Sequence, residues 1–310
     1  MAVPSPAVTA AAYTGGGDLR AMQELSSRIW SPASRWHAGD LAWGRFQHTG
    51  REPEWPTRLW RAGGTTVAWG WIELPGHLDL AVDPARAHLA DEVLAWFAET
   101  APGVRRSVSV LDSETHLWPA LRRAGYLRSG DGPFFVQLTR DLDGLAEPAP
   151  PPGFRLRPVG AGDVPGRVAA HRAAFHPSRV TVESYHAVRA AWPYDGGLDW
   201  IAQAPDGEVA AYCLAWLDPA RRVAEIEPTG TVPAHRRRGL GRAVCLAALR
   251  AARDAGATRA VVCARGDDGH PVPRRLYRSI GFGEVTRSAL WVSALDEGDF
   301  QGVVGGPVDV

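Results

Sequence analysis

The stretch Arg236-Arg237-Arg238-Gly239-Leu240-Gly241 sets three guanidinium groups directly before two glycines, and an alanine- and leucine-rich run begins at Arg242-Ala243. That composition predicts a helix from about Gly239 to Ala255. The first turn of such a helix leaves its N–H groups without partners and aims the positive end of its dipole outward. The glycines admit an anion to the main chain, and arginine keeps its charge at neutral pH. Together they suit a pyrophosphate. Just upstream, Val223-Ala224-Glu225-Ile226-Glu227 reads as a strand whose alternation turns both carboxylates to one face, where one of them can act as a general base. Pro228 has no N–H and encourages the strand to part from its neighbour at that point.

Two other phosphate motifs fail on the same residues. A P-loop needs Gly-Lys followed by Ser or Thr, and Gly241-Arg242-Ala243 supplies neither. A dinucleotide fingerprint needs a third Gly or Ala where Val244 stands, and its loop follows the first strand of its unit, not a late one.

The elements that must position these groups follow from punctuation and pattern. The proline-rich segment Leu145–Phe154 separates two stretches of similar size. In the second, strands are expected at 200–204, 209–217 and 223–232, then the helix from Gly239, a strand at 259–264, a helix at 273–280 and a closing strand ending near Val292. The first repeats that order: strands at 58–62, 65–74 and 78–82, a helix at 85–100, a strand at 105–111, a helix at 116–124 and a closing strand ending near Leu138. Val82-Asp83-Pro84 matches Thr231-Val232-Pro233, and Ala124-Gly125-Tyr126 matches Ile280-Gly281-Phe282. One motif used twice is the simplest account. The expected layout is a flexible N-terminus at 1–17, a degenerate first domain at 18–145, a linker at 146–153, a second domain at 154–295 and a tail at 296–310.

Composition bounds the function. The 310 residues are 45% hydrophobic and 22% charged, the mixture of a soluble globular protein. Net charge is zero, which argues against a general nucleic-acid binder. All 34 basic residues are arginine, which hints at a GC-rich, actinobacterial-type coding sequence. Cys213, Cys245 and Cys263 lack pairing or metal spacing and read as reduced core thiols, which points to the cytoplasm and to no metal. No window offers the roughly 20 apolar residues of a membrane span.

Two motifs at compatible spacing carry a resemblance. Arg236 to Gly241 resembles the R/Q-x-x-G-x-G/A acyl-CoA loop of the GNAT superfamily of N-acetyltransferases, and Leu276-Tyr277-Arg278-Ser279-Ile280-Gly281-Phe282 resembles its L-Y-x-x-x-G-F signature. The likeness covers residues 153–292 well and the first half as a degenerate copy, so the chain resembles a tandem GNAT protein, a layout also found in mycothiol synthases. It implies an α/β (α+β) fold of two GNAT-like units. Each is a mixed, mostly antiparallel sheet flanked by helices, with a splayed strand pair at the acyl-CoA site. It further implies acetyl-CoA (coenzyme A) held by Val232, Arg236, Arg237, Arg238, Gly239, Leu240, Gly241, Arg242 and Ala243, with main-chain groups around Thr229 to Thr231 pairing with the pantetheine amides. Tyr277 would lie beside the sulfur and give a proton to the departing thiolate. Glu227 is the favoured base and Glu225 the second choice. The family often has Asn and Ala where His270 and Pro273 stand, and Val where Thr231 stands; His270 can still donate to cofactor or substrate.

The activity implied is direct acetyl transfer, in a ternary complex, to a primary amine of a small molecule. Acceptors include an antibiotic, an amino acid or polyamine, or a cysteinyl pseudodisaccharide as in mycothiol synthesis. The alternatives are a non-catalytic acyl-CoA-binding sensor or scaffold and a protein N-acetyltransferase. The expected molecule is a monomer or homodimer with no nucleic-acid or membrane partner. The first half has Pro84-Ala85-Arg86-Ala87-His88-Leu89 where a glycine loop should be and is expected to lend structure, not a second site. Loop-like sequence makes Trp36, Trp55, Trp192 and Tyr194 the candidates for touching substrate.

Overall fold

The computed structural model of the chain describes residues 6–130 and 132–293. Its strands are β1 (Val8–Ala12), β2 (Thr57–Ala62), β3 (Thr65–Glu73), β4 (His77–Val82), β5 (Ser107–Leu111), β6 (Tyr126–Arg128), β7 (Phe135–Asp141), β8 (Arg155–Pro158), β9 (Asp199–Gln203), β10 (Val209–Asp218), β11 (Val223–Thr231), β12 (Arg259–Arg265) and β13 (Gly283–Ser293). Its helices are α1 (Gly16–Arg28), α2 (Ala38–Phe46), α3 (Leu89–Thr100), α4 (Trp118–Arg123), α5 (Val164–Ala174), α6 (Val182–Ala190), α7 (Leu240–Asp254) and α8 (Val272–Ser279). Contacts divide the chain into two compact units. Among the described residues the first comprises 6–36, 50–134 and 286–293, and the second 37–49 and 135–285.

Both units follow one plan. In the first, the strands run β1-β2-β3-β4-β5-β13, with β6 also against β13; every pairing is antiparallel except β4 with β5. In the second they run β8-β9-β10-β11-β12-β7, antiparallel except β11 with β12. The repeat extends to the turns. β4 leads into a single 3-10 turn at Pro84–Arg86 and β11 into one at Pro233–His235, the two prolines matched in the sequence.

The contacts do not divide at the proline-rich segment. Each unit takes its closing strand from the other half of the sequence: β7 pairs with β12 from Phe135↔Arg265 to Asp141↔Arg259, and β13 pairs with β5 from Ser288↔Leu111 to Val292↔Ser107. Strand pairing is specified by the face pattern of the partners and not by closeness in sequence, so local pattern could not assign these two strands. Residues 37–49 also belong to the second unit. There α2 places Ala42 and Trp43 in one core with Val168 of α5, Tyr185 of α6 and Trp216 of β10. The expected loose N-terminus contains β1, paired with β2 from Val8↔Ala62 to Ala12↔Arg58. That strand is nearly all exposed, so its main-chain ladder holds it and no apolar alternation announces it. The first five residues and the expected tail at 296–310 lie outside the described residues.

Local chemistry seats α2 firmly. His37 caps it, with Nδ1 accepting the Gly39 N–H at 3.0 Å, while the Asp40 carboxylate accepts the His37 N–H at 3.3 Å. This reciprocal cap satisfies two of the helix's orphan donors. Gly39 is required by space, because a Cβ there would stand 2.3 Å from Cγ of Trp216. Among the described residues no helix is long and apolar enough to cross a membrane, and the three cysteines are free thiols. Gly39→Ala should lower the stability of the second unit by about 1–3 kcal/mol, the scale of an overpacked core. Urea unfolding followed by circular dichroism reads this directly, and an unchanged midpoint would mean that α2 is not pressed on Trp216.

Candidate active site

The site begins where two strands part. β11 and β12 pair in parallel at Val223↔Arg259, Ala224↔Ala260 and Glu225↔Val261, and no further. Beyond that point β11 continues against β10, and β12 against β7. The register of β11 on β10 passes from Ile226↔Ala215 to Thr229↔Cys213, so three steps on β11 face two on β10. The extra residue is a β-bulge at Glu227-Pro228, and Pro228 has no N–H to offer a neighbour. The Glu227 carbonyl accepts the indole N–H of Trp216 at 2.5 Å. Thr229 Oγ1 donates to the Tyr212 carbonyl at 2.8 Å.

At the end of β11 the chain turns into α7. Gly239 caps this helix in the left-handed conformation, φ +82°, which a side chain adopts only under strain. Gly241 has a different reason from the one the sequence suggested. A Cβ there would meet Thr231 Oγ1 at 3.3 Å and Leu276 Cδ2 at 3.5 Å, so the glycine lets β11 and α8 close on the start of α7. The arginines divide their work. Arg236 donates to the carbonyls of Thr231, at 3.2 Å, and Ala174, at 3.1 Å; Arg238 lies over the Phe154 ring at 4.7 Å. Those two build the loop. Arg237 and Arg242 are exposed and have no side-chain partner among the described residues. Two unpaired guanidinium groups thus flank a helix terminus whose first N–H groups are unspent. Leu240, Ala243 and Val232 are buried behind it, and His270 is exposed in the loop before α8.

Glu225 and Glu227 lie within electrostatic reach of each other and of Asp40. Glu225 is 2% exposed, and its Oε2 accepts the Asp40 N–H at 3.1 Å. Loss of water pushes its pKa up to about 8, with the Glu227 charge adding to the rise. The same oxygen lies 3.2 Å from His37 Nδ1, which already accepts the Gly39 N–H, while Nε2 faces the Val223 carbonyl at 3.2 Å. His37 is therefore a neutral imidazole with its proton on Nε2, and burial holds its pKa down. Two acceptors in contact call for a proton on Glu225. Glu227 is half-buried, and desolvation, then the Asp40 charge, raises its pKa well above the carboxylate range. Tyr277, 4% exposed on α8, packs edge-on to Phe282 at 5.9 Å. Burial first, then Cys245, Cys213 and Glu227, keep its phenol protonated.

The aromatic candidates sit elsewhere in their units. Trp36 donates its indole N–H to the Leu80 carbonyl at 2.9 Å and packs on Trp69, and Trp55 is 6% exposed against Trp71. Trp55 is a packing residue, whereas Trp36 is half-buried beside a cavity that Ser34, Arg35 and Glu114 also line. Tyr194 packs edge-on to Trp216 and donates to Asp199 at 3.2 Å; Trp192, two residues earlier, is half-buried. Asp40 and the packing of His37 on β11 lay beyond sequence reasoning, since both residues are 185 or more positions from the strand they touch. Only the capping pattern His37-x-x-Asp40 marked a helix start there.

A parallel strand pair that splays beside a capped helix terminus, within a mostly antiparallel sheet, is the arrangement of the GNAT fold. The model of the acetyltransferase (GNAT) family matches residues 168–282, within the second unit. A mycothiol acetyltransferase of Kineococcus radiotolerans is 33% identical over 177 residues, 55% of this chain and 56% of that one. Another, of Nocardiopsis dassonvillei, is 32% identical over 155 residues, 46% of each chain. The chain spans about half the length of these curated relatives. Among solved structures, a tandem GNAT protein from the clavulanic acid biosynthesis pathway superposes with a TM-score of 0.62 at 16% identity, covering 93% of this chain and 98% of that one. A GCN5-related N-acetyltransferase from Sphaerobacter thermophilus gives 0.60 at 19% identity, covering 92% and 95%. At these identities the structures show a shared fold.

Glu225 makes a pH prediction. Its folded pKa, about 8, lies above an unfolded value of about 4.3, so the folded state holds this proton more tightly. The stabilisation is complete below the unfolded value and is lost as pH rises toward 8. Glu225→Gln, neutral at every pH, should lose less stability than the wild type between about pH 5 and pH 8. Parallel urea midpoints across that range would mean that Glu225 is ionised in the folded protein.

Proposed function

We propose that the protein is an acetyl-CoA-dependent N-acetyltransferase acting on a primary amine of a small molecule, by direct transfer in a ternary complex, with its one competent site in the second unit. What carries this reading is the meeting, beside one parted strand pair, of an anion-binding helix terminus, a half-buried carboxyl at Glu227 and a protonated phenol at Tyr277. The residues present fit a pyrophosphate. Gly239 frees the main chain, and Arg237 and Arg242 offer guanidinium groups with no side-chain partner among the described residues. The open edge of β11 beyond Glu225 fits the amides of a pantetheine arm.

Acetyl-CoA, when bound, supplies an activated acetyl thioester. Glu227 takes the proton that the attacking amine must shed, and desolvation makes its carboxylate a stronger proton acceptor than a solvated one. Tyr277 holds a proton for the departing sulfur. Glu225, buried and hydrogen-bonded to α2, is less available to substrate than Glu227. The first unit offers no counterpart. His88, at the start of α3, is in right-handed helical conformation with φ −61°, so no left-handed glycine opens a cradle there. The name shared by the two curated relatives favours a narrower second reading, in which the acceptor is a cysteinyl pseudodisaccharide of mycothiol synthesis.

Arg237→Ala with Arg242→Ala should weaken acetyl-CoA binding about 10-fold or more without unfolding, as expected for lost charge-assisted contacts. Calorimetry tests this, and equally tight binding would place the cofactor elsewhere. Glu227→Gln should slow amine-dependent CoA release, most visibly at lower pH, while leaving acetyl-CoA affinity unchanged. Tyr277→Phe should lower turnover by about 10²-fold, and the deficit should shrink with a thioester of a more acidic thiol. Wild-type turnover absent across a broad amine panel, with acetyl-CoA still bound, would favour a non-catalytic sensor.

A further inference from the structure

We propose that helix α2 supplies a positioning residue for the base: the Asp40 carboxyl, seated against Glu225, sets how readily Glu227 takes up a proton. The inference rests on reading Glu227 as the base.

The Asp40 main-chain N–H donates to Glu225 Oε2 at 3.1 Å, which seats the two acids beside each other. Two carboxyls held so close favour keeping a proton over carrying two charges. Asp40 has no freedom to leave. Its carboxylate caps the His37 N–H, Gly39 lies flat on Trp216, and Trp43 packs edge-on to His171 at 5.4 Å. Asp40, Glu225 and Glu227 thus form a fixed set of three acids.

Their surroundings provide no neutralising partner. On the α2 segment His37 is neutral, and Arg45 and His48 lie further along. From α5, Arg167 is drawn to Asp199 at 3.5 Å and over the Tyr212 ring at 3.6 Å, and burial holds His171 at about 3. From β10 come Tyr212 and Cys213, both neutral by burial, and Asp218, a further acid. α7 offers Cys245, β12 offers Cys263 and α8 offers Tyr277. None of the three carboxyls has an arginine partner among the described residues. Their mutual repulsion is relieved only by protons, so they titrate as a coupled set and the last proton leaves late. Removing the Asp40 charge lets Glu227 ionise more easily.

Asp40→Asn keeps the helix cap and removes one acid. Two readouts test it on the full chain. Carbon-13 labelling of glutamate side chains follows the carboxyl titrations of the acetyl-CoA-free protein and needs no turnover. The pH profile of kcat/KM for amine-dependent CoA release follows the base. The Glu227 titration and the rate profile should both move to lower pH by about one unit, with acetyl-CoA affinity unchanged. A purely structural role would lower the rate at every pH and leave the profile in place. Should Asp40→Asn fail to fold, Glu225→Gln removes the same partner from β11 and should move the Glu227 titration in the same direction. Unmoved glutamate titrations in the folded variants overturn the proposal. A moved titration with an unmoved rate profile, or with no turnover in the wild type, leaves the coupling standing and removes Glu227 from the base's role.

Discussion

The parting of β11 from β12 after Glu225 is the constraint on which the site depends. A parallel pair would otherwise continue toward Thr231, and each further bond would use main-chain groups that the parting leaves free of β12. The bulge at Glu227-Pro228 ends that continuation by taking a donor away and adding a residue. One local defect therefore opens a strand edge beside Glu227 and leaves the start of α7 at the end of the same strand. The left-handed Gly239 and the close-packed Gly241 then fix α7 against β11 and α8, which brings Tyr277 within reach of Glu227.

Charge is handled in two opposite ways around that gap. The loop before α7 is rich in cations, yet Arg236 and Arg238 are consumed in building it, so the field it projects comes from Arg237, Arg242 and the helix terminus. Behind the gap lie three acids with no arginine among them. Like charges held out of water cost stability unless protonated, so this part of the fold loses robustness at alkaline pH.

The loop, the strand carrying Glu225 and Glu227, the helix carrying Tyr277 and the repeated order of elements were all legible, because each is written in contiguous residues. Pro84 and Pro233 do open equivalent turns. What escaped was non-local. Asp40 lies 185 positions from Glu225, and nothing in the run His37–Phe46 declares which sheet it will cover. The closing strands β7 and β13 have ordinary alternating sequences, and their partners are chosen by the whole fold. The segment around Trp55 lacks pattern yet buries its indole, a packing that only the whole fold decides.

The exchange of closing strands has a consequence for how the protein is made. As the chain leaves the ribosome, β5 emerges long before Ser288–Val292, so the first unit's sheet waits with one edge unpaired while more than half of the polypeptide is still to be synthesised. An unpaired edge is a template for the wrong partner. The second unit has no such delay, since α2 and β7 precede everything they must meet. The half of the sequence that is translated last is thus the half that can complete its fold first.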